Sequence, residues 1–287
     1  MTIILFLAIL FLLVLVHEFG HFIVAKKSGV RVDEFGIGFP PRLFGIKRGE
    51  TEYTFNLLPF GGFVKIFGEN PDEESMSGSD RSRSMVNKSR WKQSAILVAG
   101  VVFNIVFAWM LFVVGFTIGL PTSISDEDLS RVREPKLFIG AILPDSPAEV
   151  AGLERGDTLL SITSSREMIT GDPLLPDAVS DFIASVGEEE IALKVERGGE
   201  EIMLNVIPKE SVIQDDPDRF AIGISMDLAG ILQLPIYEAF IEGTVTTYNM
   251  LVLVTQNIST FVADAFLLRA DLSEVAGPVG IAGLVGE

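Results

Sequence analysis

Two uncharged apolar runs dominate the hydrophobic pattern. Residues 1–16, MTIILFLAILFLLVLV, and residues 94–120, SAILVAGVVFNIVFAWMLFVVGFTIGL, contain no Asp, Glu, Lys or Arg. A helix crosses the hydrocarbon core of a bilayer with about 20 residues, so the second run predicts a complete span. The first spans only if its helix continues through HEFGH to Ala25. It lacks the basic start and small-residue cleavage site of a secretory signal, which favours a retained helix over residues 1–25.

Residues 26–69 follow a different rhythm. TEYTFNL and FVKIFG alternate about Pro59-Phe60-Gly61-Gly62, which predicts a β-hairpin with its turn there. The region is too apolar for an ordinary loop. It reads either as a hairpin dipping into the membrane from the inner side, tolerated where protein or water covers its backbone, or as a hairpin packed at the surface. Residues 70–93 are polar and predict a mobile cytoplasmic linker.

Residues 135–208 predict a compact module of strands and two short helices. Ser146 is placed as N-cap with Pro147 at the first helical position, PDAVSDFIASVG predicts an amphipathic helix, and Gly198-Gly199 turns a hairpin. The phrase DSPAEVAGLERGDTLLSI within this order resembles a PDZ domain of the permuted bacterial type. That resemblance implies a groove taking an extended peptide tail. In residues 209–287, RFAIGISM predicts a strand, and an apolar stripe at Met250, Leu251, Val254, Ile258, Phe261, Val262 and Ala265 predicts an amphipathic helix. Its polar residues favour an interfacial or protein-packed helix over a third span.

Charge adds an orientation. Residues 25–93 carry 12 Lys/Arg against 9 Asp/Glu, whereas residues 119–287 carry 10 against 29. The basic excess places loop 26–93 in the cytoplasm and the acidic module outside. The acidity argues against a nucleic-acid partner. With no cysteine in the chain, any metal must be held by imidazole and carboxylate.

His17 and His21, the chain's two histidines, fall where the helix of the first apolar run continues toward Ala25, with Glu18 between them. Buried imidazoles and a carboxylate within one helical turn are costly without an ion to offset them. Residues i and i+4 of a helix lie one above the other, so both imidazoles can hold one zinc ion while Glu18 reaches a water bound to it. Zinc makes such a water acidic near pH 7, and a neighbouring carboxylate can take its proton as the oxygen attacks a peptide carbonyl.

In order, HEFGH, GFPPRLFGI, PFGGFVKIFGE, a second span with Gly100 and Asn104, a PDZ-like module and VAGPVGIAG resemble the site-2 protease family, closest to its bacterial regulator-of-sigma-E branch. The resemblance implies an α-helical membrane core with a membrane-associated β-hairpin and an inserted extracytoplasmic α+β PDZ domain, in a multi-pass protein of the bacterial inner membrane. It implies a zinc endopeptidase that cleaves a single-span membrane substrate. Gly100 and Asn104 then help hold the substrate, and the hairpin around Phe60, Gly61 and Gly62 pairs with its unwound strand. The family's third ligand, the aspartate of a Leu-Asp-Gly motif, has no counterpart here, and Asp227 and Asp264 sit in other contexts. A truncated chain is the simplest expectation, and the activity of this exact polypeptide stays open. The competing reading is a non-catalytic, membrane-anchored PDZ peptide-binding protein.

Overall fold

The computed structural model describes residues 2–124, 126–171, 173–210, 212 and 219–267, and these form two compact units. One comprises residues up to Phe112 together with those from Gly243 onward. The other is Val113–Glu242. The architecture is α+β.

The first unit begins with α1 (Thr2–Lys27), a helix with apolar residues on all sides. Two long strands follow, β1 (Val32–Arg48) and β2 (Thr51–Ile66), joined at Gly49, whose φ of +65° suits glycine. The sequence pattern placed the turn at Pro59–Gly62, and the structure corrects this. TEYTFNL and the FVKI of FVKIFG both belong to β2 and pair with β1 rather than with each other. Residues 34–37 are flanked on two sides, by 62–65 and by 52–55, so β1 occupies the middle of a small curled sheet. Period-2 alternation revealed strands but not partners, because register is decided by packing against α1.

The expected mobile linker is also corrected. Residues 73–77 form the short helix α2 (Glu73–Ser77), with a capping box in which Asp72 accepts from the Ser75 backbone and the Ser75 hydroxyl caps Asp72. Single 3-10 turns follow at Arg81–Arg83 and Met85–Asn87. Arg31 anchors the segment through ion pairs to Asp33 at 2.8 Å and Asp80 at 2.7 Å while stacking 3.7 Å over the Phe67 ring. The polar run is therefore held by charge pairing and backbone bonds that composition does not display. The second long helix, α3 (Arg90–Ile118), leaves this region.

Phe22, Ala25, Val30, Val32, Phe35, Ile66, Met85 and Ile96 form one buried core between α1, the sheet and α3. Both α1 (from Ile3) and α3 are long and apolar enough to cross a membrane, and little of either is buried by protein. Gly20 lets them approach, since a Cβ there would stand 2.6 Å from the Ala99 carbonyl oxygen.

The second unit is built on one mixed-length sheet. Its strands are β3 (Leu120–Ser123), β4 (Val132–Ile142), β5 (Thr158–Thr163), β6 (Met168–Thr170), β7 (Ile191–Arg197), β8 (Glu200–Val206) and β9 (Ile224–Leu232), in the order β3-β9-β4-β5-β7-β8 with β6 on β5. Two helices cover it, α4 (Pro147–Val150) and α5 (Pro176–Val186). Ser146 caps α4 by accepting from the Glu149 amide, and Gly198-Gly199, both at positive φ, join β7 to β8. Leu137, Ile139, Ile162, Val179, Ile191 and Leu193 are among its fully buried core. The strand predicted over RFAIGISM begins only at Ile224, five residues after Arg219, and Ala221 instead forms an isolated bridge with Lys209.

The last described helix, α6 (Ile236–Phe266), covers the predicted apolar stripe. The VAGPVGIAG segment lies outside the described residues.

Candidate active site

The site sits where α1 and α3 cross, and glycine makes the crossing close enough. His17 and His21 lie one turn apart on α1, with their Nε2 atoms 3.2 Å apart. A Cβ at Gly100 of α3 would stand 2.5 Å from His21 Nε2 and 2.6 Å from His17 Nε2, so only glycine leaves room beside these nitrogens. His21 Nδ1–H donates to the Ile96 carbonyl at 2.7 Å. A carbonyl can only accept, so this bond fixes a proton on Nδ1, and the Nε2 lone pair of the neutral ring faces His17 Nε2, with which it shares a hydrogen bond.

The donor set fits zinc. Two imidazole nitrogens bound to a tetrahedral zinc at roughly 2.0–2.1 Å stand about 3.3 Å apart, close to the 3.2 Å found here. Imidazole is a preferred zinc donor, and the chain offers no thiolate to compete. Among the described residues, no group of three His, Cys, Asp or Glu comes together as a complete metal cage. Asp227 lies on β9 in the second unit and Asp264 near the end of α6, and neither joins the histidines.

Glu18 points to the neighbouring strand. Its Oε2 accepts from the Val64 amide of β2 at 3.1 Å, a bond that fixes the carboxylate while leaving its second oxygen out of that contact. A cavity of about 290 Å³ is lined by Glu18, His21, Val64, Ile66, Glu69 and Ile96 among others. Glu69, at its edge, was not anticipated from the sequence. Its only signal was a carboxylate three residues beyond an apolar strand.

The structure separates the other predicted site residues. Gly100 touches the imidazoles, as above. Asn104, one turn further along α3, has its Oδ1 buried without a hydrogen-bond partner, one of two such side-chain atoms among the described residues. Gly61 and Gly62 are buried against α1: a Cβ on Gly61 would meet Val14 at 3.0 Å, and one on Gly62 would lie 2.8 Å from the Gly36 carbonyl oxygen and 4.0 Å from Glu18 Cγ. Phe60 is exposed. These glycines let β2 press against the helix that carries His17, Glu18 and His21. A second cavity, about 350 Å³ and almost wholly apolar, joins His17 and Asn104 to residues of α6. Sequence reasoning gave α6 no site role, although its apolar stripe already contained Met250, Leu251 and Val254.

Comparison with known proteins gives this arrangement a family. A provisionally named zinc metalloprotease of Clostridium perfringens is 34% identical over 275 residues, covering 96% of this chain and 72% of that protein. A second of the same name from Rhizobium meliloti is 32% identical over 302 residues, covering 98% and 74%. The chloroplastic membrane metalloprotease ARASP of Arabidopsis thaliana is 30% identical over 213 residues, 71% of this chain and 44% of its own. Among solved structures, the PDZ domain of an SdrC-like protein from Listeria monocytogenes matches 31% of this chain and 85% of its own at 15% identity, with a TM-score of 0.25. The family model for peptidase family M50 matches residues 5–287, a range that takes in the paired imidazoles, Glu18, Gly100 and both apolar helices, and the chain belongs to that family.

Proposed function

We propose that this chain is a zinc-dependent intramembrane endopeptidase of the site-2 type, hydrolysing a peptide bond in the membrane segment of a single-span substrate. The observation that carries the reading is the pair of Nε2 atoms 3.2 Å apart beneath Gly100, with Glu18 one residue from the first ligand. His17 and His21 would hold the ion. When bound, zinc supplies Lewis acidity that brings the pKa of a water toward about 7. Glu18, oriented by Val64, would serve as the base that takes a proton from the attacking water and then as the acid that gives it to the departing amine nitrogen. Gly61 and Gly62 keep β2 beside the base, where an unwound substrate strand can be presented. A helical substrate hides the carbonyl that must be attacked. Asn104 Oδ1 accepts from the substrate backbone, which would give that buried acceptor its partner.

A catalytic zinc centre ordinarily has three protein ligands, so this one needs a carboxylate from outside the described residues. A chain given no such ligand is expected to hold zinc weakly and turn over slowly. The exposed Phe39, Leu43, Phe44, Ile46 and Leu57 of β1 and β2 suit contact with the lipid bilayer. The Lys/Arg bias supports a multi-pass bacterial inner-membrane topology with residues 26–93 inside and the second unit outside. In that unit, Ile183, Ile222, Ile224 and Met226 line a small cavity with Arg219, which pairs with Asp181 at 2.9 Å. This groove suits a peptide tail as a PDZ groove does.

The test is Glu18→Gln in the full chain. Cleavage of a single-span reporter should fall by at least about 10²-fold while zinc content stays at the wild-type level. Persistent cleavage would remove Glu18 from its role. If the wild-type chain purifies without zinc and peptide binding survives loss of both histidines, the non-catalytic membrane-anchored peptide binder is the correct reading.

A further inference from the structure

The apolar cavity beside His17 has a shape that the hydrolytic reading alone does not explain. Val101, Asn104, Ile105, Ala108 and Phe112 line it from α3, at the spacing of a single helical face. Thr247, Met250, Leu251 and Val254 line it from α6, again one face. The result is a trough between two helices, running along α3 for roughly 16 Å from the residue after Gly100. His17 stands in its wall, so one end reaches the imidazole pair. The Thr247 hydroxyl donates to the Gly243 carbonyl at 2.7 Å and is therefore satisfied. Asn104 Oδ1 is buried without a partner. A trough this apolar with a single unsatisfied acceptor matches a substrate segment that contributes one backbone N–H and an apolar side chain.

Building on the endopeptidase reading, we propose that the α3–α6 trough is a side-chain subsite that receives a large apolar residue flanking the cleaved bond of the substrate's membrane segment. Ala108 and Met250 set its size: Ala108 leaves the α3 wall low, and the unbranched Met250 can reshape to the residue that enters. The amphipathic stripe of α6 thus serves as one wall of the substrate site.

Two measurements on the full chain in membranes test this. The first uses single-span reporters carrying Leu or Ala at each position beside the cleavage point. At one position, wild type should prefer Leu over Ala by on the order of ten- to a hundred-fold, and Ala108→Phe, which fills the trough, should bring that preference close to parity. Val106→Phe, on an exposed part of α3 outside the trough, should leave it unchanged.

The second needs no catalysis. Because the native chain has no cysteine, a Met250→Cys variant carries a single thiol, and its disulfide to a cysteine placed in the reporter is told from a disulfide between two variant copies by mass. Cross-linking should peak at the position that prefers Leu, whereas Val252→Cys, which does not line the trough, should give little. Cleavage without Met250 cross-links, or with equal cross-linking from Val252, overturns the subsite and leaves the endopeptidase standing. Met250 cross-links that peak at one reporter position without any cleavage support the trough as a binding site for an apolar residue of the membrane segment, and overturn both the endopeptidase reading and the trough's place beside a cleaved bond.

Discussion

Gly100→Ala sets two physical effects against each other with opposite signs. Intrinsic helix propensity favours alanine over glycine inside a helix by about 1 kcal/mol, so α3 considered alone gains stability. The new methyl carbon, however, would stand 2.5 Å from His21 Nε2 and 2.6 Å from His17 Nε2. Unstrained contacts between such atoms are near 3.5 Å, so about 1 Å of separation must come from moving the imidazoles or backing α3 away. Moving α3 also strains the 2.7 Å bond from His21 Nδ1 to the Ile96 carbonyl. Loss of such an orienting bond costs about 10–100-fold in metal affinity, or about 1.4–2.7 kcal/mol. A 1 Å displacement of catalytic groups costs a further factor of about 10² in rate. The assay is zinc content by mass spectrometry after dialysis against graded chelator, with reporter cleavage measured on the same samples. Zinc should leave the variant at a chelator concentration at least about tenfold lower than for wild type. If the variant retains zinc like wild type and gains thermal stability, the close approach of α3 to the imidazoles is refuted.

Asn104→Ala should leave thermal stability unchanged or slightly raised, because Oδ1 has no internal partner to lose, while cleavage falls about 10–100-fold; a clear loss of stability would show that Asn104 is structural. In the second unit, burial pushes the Asp157 carboxyl up, but two 2.7 Å bonds from Arg197 and the Glu154 amide outweigh this and hold it below its ordinary value. A carboxylate with a depressed folded value adds stability above its unfolded pKa of about 3.9 and loses it as pH falls through the lower folded value. Acid unfolding of this unit, followed by limited proteolysis of the full chain, should therefore begin below about pH 4 in wild type. Arg197→Ala leaves Asp157, only 1% exposed, without its guanidinium and should destabilise the unit by about 1–3 kcal/mol at neutral pH. Proteolysis of the variant indistinguishable from wild type at both pH values would show that the pair contributes nothing.

The pairing of the two imidazoles was legible in the sequence because it is local. His17, Glu18 and His21 lie within one helical turn, and helical periodicity alone puts both imidazoles on one face. Two uncharged runs long enough to span, the Ser146 cap and the Gly198-Gly199 turn are likewise set by neighbours in the chain. The partners of long-range contacts were not legible. The sequence pattern showed alternating strands around Gly61, but packing against α1 decided that β2 runs through Pro59–Gly62 and flanks β1 on both sides. Charged residues 70–93 looked solvated, and only the fold brought Asp80 to Arg31, 49 positions away. The tertiary structure also decided that Gly100 roofs the imidazoles and that Met250 joins His17 around a shared trough. Such contacts depend on the crossing of helices far apart in the chain, and a crossing is fixed by close packing of side chains that no local pattern encodes.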